Sequence, residues 1–206
     1  MSPLPNSDAQ RARALNLVRE GDLRQRLLAR DEQALVELVD LATPWLLGVT
    51  HAMLSDSGDA EDVVMETFQI AWDRIELVRD QDIGLLPWLL RVARNRAIDR
   101  LRMRRRHLVL AARAKTWSAL GEEAVPPVEP NEAALPGWHV HEVVRGAIES
   151  LPSDQQATVR MAYFQGLSHT EIAEQMNVPL GTVKTRLRLA LNKLRISLAT
   201  VKDWII

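Results

Sequence analysis

Three short stretches hold most of the side chains that could do chemistry. Asp59, Glu61, Asp62 and Glu66 place four carboxylates within eight residues. Such a group binds a divalent cation, meets a basic partner, or is the solvated face of a helix. A hydrolytic metal centre needs more ligands, and no His or partner carboxylate cluster supports one, so neither metal nor cofactor is expected. From Arg91 to Arg106 eight Arg stand against one Asp. Arg91, Arg94, Asn95, Asp99 and Arg102 fall at helical spacing, so one face presents them together. Cations so arranged give the helix a basic surface or are its solvated face. The third stretch holds Thr182, Lys184, Thr185, Arg186 and Arg188. Hydroxyls, Lys and Arg are the groups from which phosphates and guanine edges accept hydrogen bonds.

Helices must position all three stretches, because no strand pattern is present. Asp31 opens a helix whose apolar face is Leu35, Leu38 and Val39, and Pro44 predicts a break or a new first turn. Trp45, Leu46, Val49 and Met53 continue that face. Ser57-Gly58-Asp59 reads as a turn, with Asp59 capping the next helix and Asp62 in its first turn. Val63, Val64, Phe68, Ile70 and Ala71 are its buried side. Arg79 to Gly84 reads as a loop, after which Pro87 sits where a first helical turn accepts proline. That helix runs at least to Leu101. Trp88, between Leu86 and Leu89, suits a core anchor better than a stacking platform.

From Trp117 to His141 the composition changes to four Pro and four Glu with no Lys or Arg, which predicts a linker. Beyond it, Glu142 to Glu149 and Asp154 to Gln165 read as helices, the second ended by Gly166. Ser168-x-x-Glu171 is a capping box. Ile172, Ala173 and Met176 face inward, Asn177 tolerates a left-handed turn, and Pro179 starts a second helix pinned by Val183 and Leu187. Thr182, Lys184, Thr185, Arg186 and Arg188 are left outward. This is either a DNA-reading helix-turn-helix or an ordinary helical hairpin with a solvated basic face.

The net charge of −1 over 206 residues names no partner, but its distribution predicts separate acidic and basic surfaces. The absence of cysteine excludes disulfides and thiolate metal sites. No apolar run approaches a membrane span and no signal-peptide core is present, so no membrane insertion and a cytoplasmic location are expected.

The string Gly166-Leu-Ser-His-Thr-Glu-Ile-Ala, followed by Gly181-Thr-Val-Lys-Thr-Arg-Leu, resembles region 4 of bacterial sigma factors. It is less similar to the reading heads of LuxR-type regulators. Asp59-Ala-Glu-Asp-Val-Val-Met-Glu-Thr-Phe68 and Trp88-Leu-Leu-Arg-Val-Ala-Arg-Asn-Arg-Ala-Ile-Asp-Arg-Leu-Arg102 resemble region 2 of extracytoplasmic-function (ECF) sigma factors of the sigma-70 family. The likeness spans roughly 22–195. The family often has Arg where Gln156 stands and Ser where Pro179 stands.

The resemblance implies an all-α fold: an N-terminal tail (1–21), a region 2 domain (22–112), a flexible acidic Pro-rich linker (113–141) and a region 4 domain (142–206). It implies a non-enzymatic factor that binds core RNA polymerase through the beta-prime clamp helices and the beta flap, directs it to promoters, and is controlled by an anti-sigma factor. Asp59, Glu61, Asp62, Val63, Glu66 and Phe68 would bind the polymerase. Arg91, Arg94, Asn95, Arg96, Asp99 and Arg102 would hold the melted −10 element, with the loop from Arg79 to Leu86 capturing a base. Thr182, Lys184, Thr185, Arg186 and Arg188 would read the −35 element of the promoter DNA. The alternatives are a free-standing operator-binding dimer and a carboxylate metal enzyme.

Overall fold

The computed structural model describes residues 19–54, 56–78, 84–114 and 138–199. The expected tail up to residue 18, the base-capturing segment 79–83 and the linker 115–137 lie outside the described residues. Among the described residues every regular element is helical.

The N-terminal domain begins with α1 (19–28), which buries Leu23 and Leu27. Arg30 turns the chain in the left-handed region at φ 62°. Asp31 then caps α2 (Glu32–Met53) by accepting from the Gln33 amide. Arg26 ties the two helices, donating to Asp31 and Glu37, each at 2.9 Å. The break expected at Pro44 does not occur, and α2 continues through it. An interior proline costs roughly 3 kcal/mol. Here that cost is offset by the four-residue stripe Leu38, Ala42, Leu46 and Thr50, all buried across the site of the proline. Each fully buried Leu contributes about 1.5–3 kcal/mol.

The acidic helix α3 (Ser57–Asp73) starts earlier than expected. Its cap is Asp56, which accepts from the Asp59 amide at 2.8 Å, so Ser57-Gly58-Asp59 is the first helical turn rather than a turn before it. A one-turn 3₁₀ helix (Ile75–Val78) follows. Then α4 (Leu85–Ala114) runs for 30 residues, with Pro87 in its first turn. Trp88, Leu89, Ala93 and Ala97 are buried against α2 and α3, so Trp88 is a core anchor. At Gly84, an added Cβ would sit 3.1 Å from a Glu20 carboxylate oxygen, and Glu20 accepts from the Leu85 amide at 2.9 Å. A residue of the expected tail is therefore part of the domain, holding the first turn of α4.

The C-terminal domain packs α5 (Trp138–Glu149), α6 (Ser153–Val159), α7 (His169–Met176) and α8 (Leu180–Ser197) around Ile148, Leu151, Val159, Ile172, Val183 and Leu187. The first of these helices begins four residues before the position expected for it. Following α6 the chain does not stay α-helical to Gln165: Arg160–Phe164 form a π turn, closed by Gln165 donating to the Arg160 carbonyl. Gly166 ends it at φ +64°. The capping box forms as expected, with the Ser168 amide donating to Glu171 at 2.7 Å and the Glu171 amide to the Ser168 hydroxyl at 3.3 Å. Asn177 takes the left-handed conformation at φ 52°, ψ 50°. Two helices so joined, sharing buried Ile172, Val183 and Leu187, make a helix-turn-helix.

Candidate nucleic-acid interface

At about 100° per residue, α4 sorts its charges by phase. Arg94, Asn95, Asp99 and Arg102 share one face and line a cleft of ≈ 990 Å³. Its opposite wall comes from the C-terminal domain and includes His169, Lys184 and Arg188. The structure therefore brings four of the six expected −10 residues together with two of the five expected −35 residues. Arg91 and Arg96 are exposed outside the cleft, and Arg96 lies about 200° around the helix from Arg94.

Arg94 is half-buried. It donates to the Ala162 carbonyl at 3.1 Å, and its guanidinium stands 4.5 Å from the centre of the Tyr163 ring. Burial pulls its pKa below the ordinary guanidinium value, Tyr163 opposes that, and the positive charge of Arg102 adds to the lowering. The starting value is so high that the group stays charged at neutral pH.

The other side of α4 has a different use, which periodicity alone does not reveal. Arg100 donates to Asp59 at 2.9 Å and to Glu66 at 2.6 Å, and lies 3.6 Å from Asp62. The bond to Glu66, more than any other influence, raises the pKa of Arg100. Arg104 also pairs with Asp59. The acidic helix is thus neither a plain solvated face nor wholly open: Asp59 and Glu66 face inward to α4, while Glu61 and Asp62 are exposed.

Two expected polymerase contacts are corrected. Val63 is 0% and Phe68 6% exposed, both in the N-terminal core, because their positions on α3 point at α2 and α4. The apolar side chain that α3 does present is Met65, 69% exposed between Glu61 and Gln69. Its place three and four residues from Asp62 and Glu61 could have found it in the sequence.

On α8, Lys184, Thr185 and Arg188 are exposed and Thr182 is partly so. Neither Lys184 nor Arg188 has an ion-pair partner among the described residues. Arg186, expected outward, is instead turned onto α6, where it pairs with Asp154 at 2.5 Å. It follows Val183 by three residues and precedes Leu187, so it lies at the border of the buried face. Pro179 offers no side-chain cap to this helix.

Among the described residues no group of three or more His, Cys, Asp or Glu could hold a metal ion. No helix among them is long and apolar enough to cross a membrane.

Residues 38–107 match the family model for sigma-70 region 2, and residues 141–194 that for sigma-70 region 4. The ECF RNA polymerase sigma factor RpoE of Cereibacter sphaeroides is 32% identical over 81% of this chain and 87% of its own length. SigL of Mycobacterium tuberculosis is 33% identical over 71% of this chain and 78% of its own. SigW of Bacillus subtilis is 29% identical, covering 80% and 89%. Among solved structures, the RsbN–BldN complex aligns at TM-score 0.36 and 23% identity, covering 83% of this chain and 96% of that one. CnrH in complex with the cytosolic domain of CnrY aligns at TM-score 0.40 and 20% identity, covering 88% and 97%. Two matched regions in the order read from the sequence, with a relative above 30% identity along most of both chains, place the protein: it belongs to the ECF group of the sigma-70 family, transcription initiation factors rather than enzymes.

Proposed function

We propose that the chain recruits core RNA polymerase through the outward side of α3 and offers promoter DNA two separate faces. Glu61, Asp62 and Met65 form the docking patch for the basic beta-prime clamp helices, with Glu66 at its edge. The region 4 domain would meet the beta flap. Arg94, Asn95, Asp99 and Arg102 hold the separated strand of the −10 element, and Arg91 and Arg96 add phosphate contacts from beside it. Lys184, Thr185 and Arg188, with Thr182, enter the groove at the −35 element, and Arg186 orients α8 through Asp154. The protein works in the cytoplasm and is held in check by an anti-sigma factor.

The observation that supports this best is the selective exposure on α8. In the second helix of a capped helix-turn-helix, the cations at 184 and 188 are open while the one at 186 is held by the protein. A solvated basic face would leave all three alike.

The test is transcription by purified core polymerase from a library randomised at both promoter elements, with and without the protein. Initiation at one upstream-plus-downstream pair only when the protein is present is the expected result. Binding of duplex operator as a dimer, with no polymerase recruited, would replace this reading with that of a free-standing regulator.

A further inference from the structure

The cleft between α4 and the C-terminal domain gathers cations that the protein does not pair. Arg94 and Arg102 line it from α4, Lys184 and Arg188 from α8, and Asp99 is the one carboxylate among the lining residues. None of these four cations has an ion-pair partner among the described residues. Elsewhere on the same two helices, Arg100 and Arg104 are paired with Asp59, and Arg186 with Asp154. The Nε–H of Arg94 is buried with no acceptor among the described residues. Burial, and then the charge of Arg102, lower the pKa of that guanidinium. Converging like charges and an unpaired buried donor both cost free energy that a bound anion would recover.

The walls meet at Gly166, where an added Cβ would lie 3.1 Å from the Ile98 side chain, and at Arg105, which donates to the Gln165 carbonyl. The cations of the two walls therefore face one shared volume rather than an open surface. A single phosphate monoester carries about 1.5–2 negative charges near neutral pH, too few for two cationic walls. A chain of phosphates matches them better, and guanidinium forks take phosphate oxygens two at a time. Phosphates alone do not fill ≈ 990 Å³, a volume at the upper end of the about 300–1,000 Å³ usual for ligand sites. The remaining lining includes Ile98, Leu187 and Leu191, apolar surface that suits a flat ring. Asp99, acceptor-only when ionised, repels a phosphate and suits a hydroxyl or amino group.

We propose that this cleft is a binding site for a nucleoside oligophosphate, its phosphate chain held between Arg94, Arg102, Lys184 and Arg188 and its nucleoside against the apolar lining beside Asp99. The site binds and makes no bond. It rests on the groups of the cleft alone, although the same four cations are the ones assigned above to promoter DNA.

The test is calorimetric titration of the full chain, without polymerase or DNA, with ATP, GTP and inorganic tripolyphosphate. EDTA removes metal ions, and about 0.15 M salt screens attraction beyond about 8 Å. One nucleotide per chain is the expected result, with tripolyphosphate about tenfold weaker for want of the nucleoside. Arg102 and Arg188 are exposed and without ion pairs among the described residues, so replacing them spares the fold. Arg102→Ala and Arg188→Ala should each weaken nucleotide binding about tenfold or more, the worth of a hydrogen bond to a charged group. Lys193→Ala and Arg195→Ala, exposed on α8 outside the cleft, should leave it unchanged. Thermal melts give a second readout: nucleotide should raise the Tm of the parent and not of Arg102→Ala. Equal losses from all four variants, or several nucleotides per chain, would reveal diffuse attraction and overturn the site. Tripolyphosphate binding as tightly as ATP and GTP would overturn the nucleoside part. Saturable binding of a 12-nucleotide single strand with no binding of either nucleotide would overturn the proposal and leave the cleft to DNA. Failure to support promoter-specific initiation would instead sink the sigma-factor reading and leave this titration standing.

Discussion

Helices α4 and α8 are both rich in arginine, yet they use it in opposite ways. On α4, Arg100 and Arg104 are paired with the carboxylates of α3, and Arg94 and Arg105 with carbonyls of the C-terminal domain. On α8, only Arg186 is so engaged among the described residues, while Lys184 and Arg188 are exposed. Counting basic residues would have ranked α4 the stronger DNA binder. Counting which of them are committed within the protein removes most of that difference, since Arg91, Arg96 and Arg102 remain exposed on α4 and Lys184, Arg188, Lys193 and Arg195 on α8. A charge run is therefore informative only after the opposing groups are known, since an ion pair satisfied internally attracts a distant phosphate weakly.

The largest expected effect tests what remains free on α3 once α4 has taken its share. Glu61→Arg with Asp62→Arg removes the 3.6 Å pair of Asp62 with Arg100 but spares the two shorter bonds of Arg100 to Asp59 and Glu66, and a urea melt of the variant separates any loss of folding from loss of docking. The double substitution should weaken polymerase binding by about a hundredfold, a few kcal/mol, since reversed interfacial charges add repulsion to lost attraction. Titration of labelled protein with core enzyme measures it. Reversing Glu66 instead would confuse docking with folding, because Glu66 holds Arg100 at 2.6 Å.

Next in size is the internal commitment of α4. Arg100→Ala should cost about 2 kcal/mol in urea unfolding, below the 3–5 of a fully buried pair because Glu66 is 41% exposed. Arg188→Ala should leave stability within about 0.5 kcal/mol. Equal losses from the two would erase the contrast between the helices.

Within α8 the contrast becomes one of specificity. Arg188→Ala should relax preference at one −35 position, by roughly 1–3 kcal/mol, whereas Lys184→Ala lowers output from all promoters alike. Arg186→Ala should keep the parent's preference and lower thermal stability instead. Selection from a randomised upstream element reads all three.

The smallest effect is set by pH. The Ser168 side chain, then its amide, hold the Glu171 carboxyl below its ordinary value of 4.5. Stability from that depressed carboxylate is complete above 4.5 and is lost as pH falls through the lower folded value. Glu171→Gln should therefore flatten the acid limb of the stability curve slightly, as read by thermal melts between pH 5 and 3.

Much of this was legible from residue order. The capping box, the left-handed Asn177 and buried Trp88 were all read correctly, because each depends on neighbours a few residues away. The readings that failed depend on what lies across a gap. Asp59 was read as the cap of α3, but Asp56 caps it and Asp59 lies in the first turn. Pro44 breaks a helix only where packing does not hold it. The buried positions of Val63 and Phe68 follow from their own helical phase, and carrying them over as surface residues overrode that signal. The π turn has no periodic signature, since one extra residue in a short helix shifts no long pattern. The pairing of Arg186 with Asp154, and of α4 with the C-terminal domain, required knowing how distant segments meet.

The 30-residue length of α4 has a mechanical consequence. It works as a camshaft does, with two lobes at set angles on one rigid rod: Arg100 and Arg104 against the acidic helix, Arg94 and Arg105 under the neighbouring domain. Arg94 and Arg105 stay in phase because eleven residues make almost a whole number of turns, and Arg100 stands on the far side of the rod between them. A single residue inserted between Ala97 and Arg100 would rotate everything beyond it by about 100°. Arg100 would swing off Asp59 and Glu66 while Arg105 swung off Gln165, and Arg94 would keep its place. The spacing along this rod is thus as constrained as any side chain it carries, and substitutions would be tolerated there far more readily than changes in length.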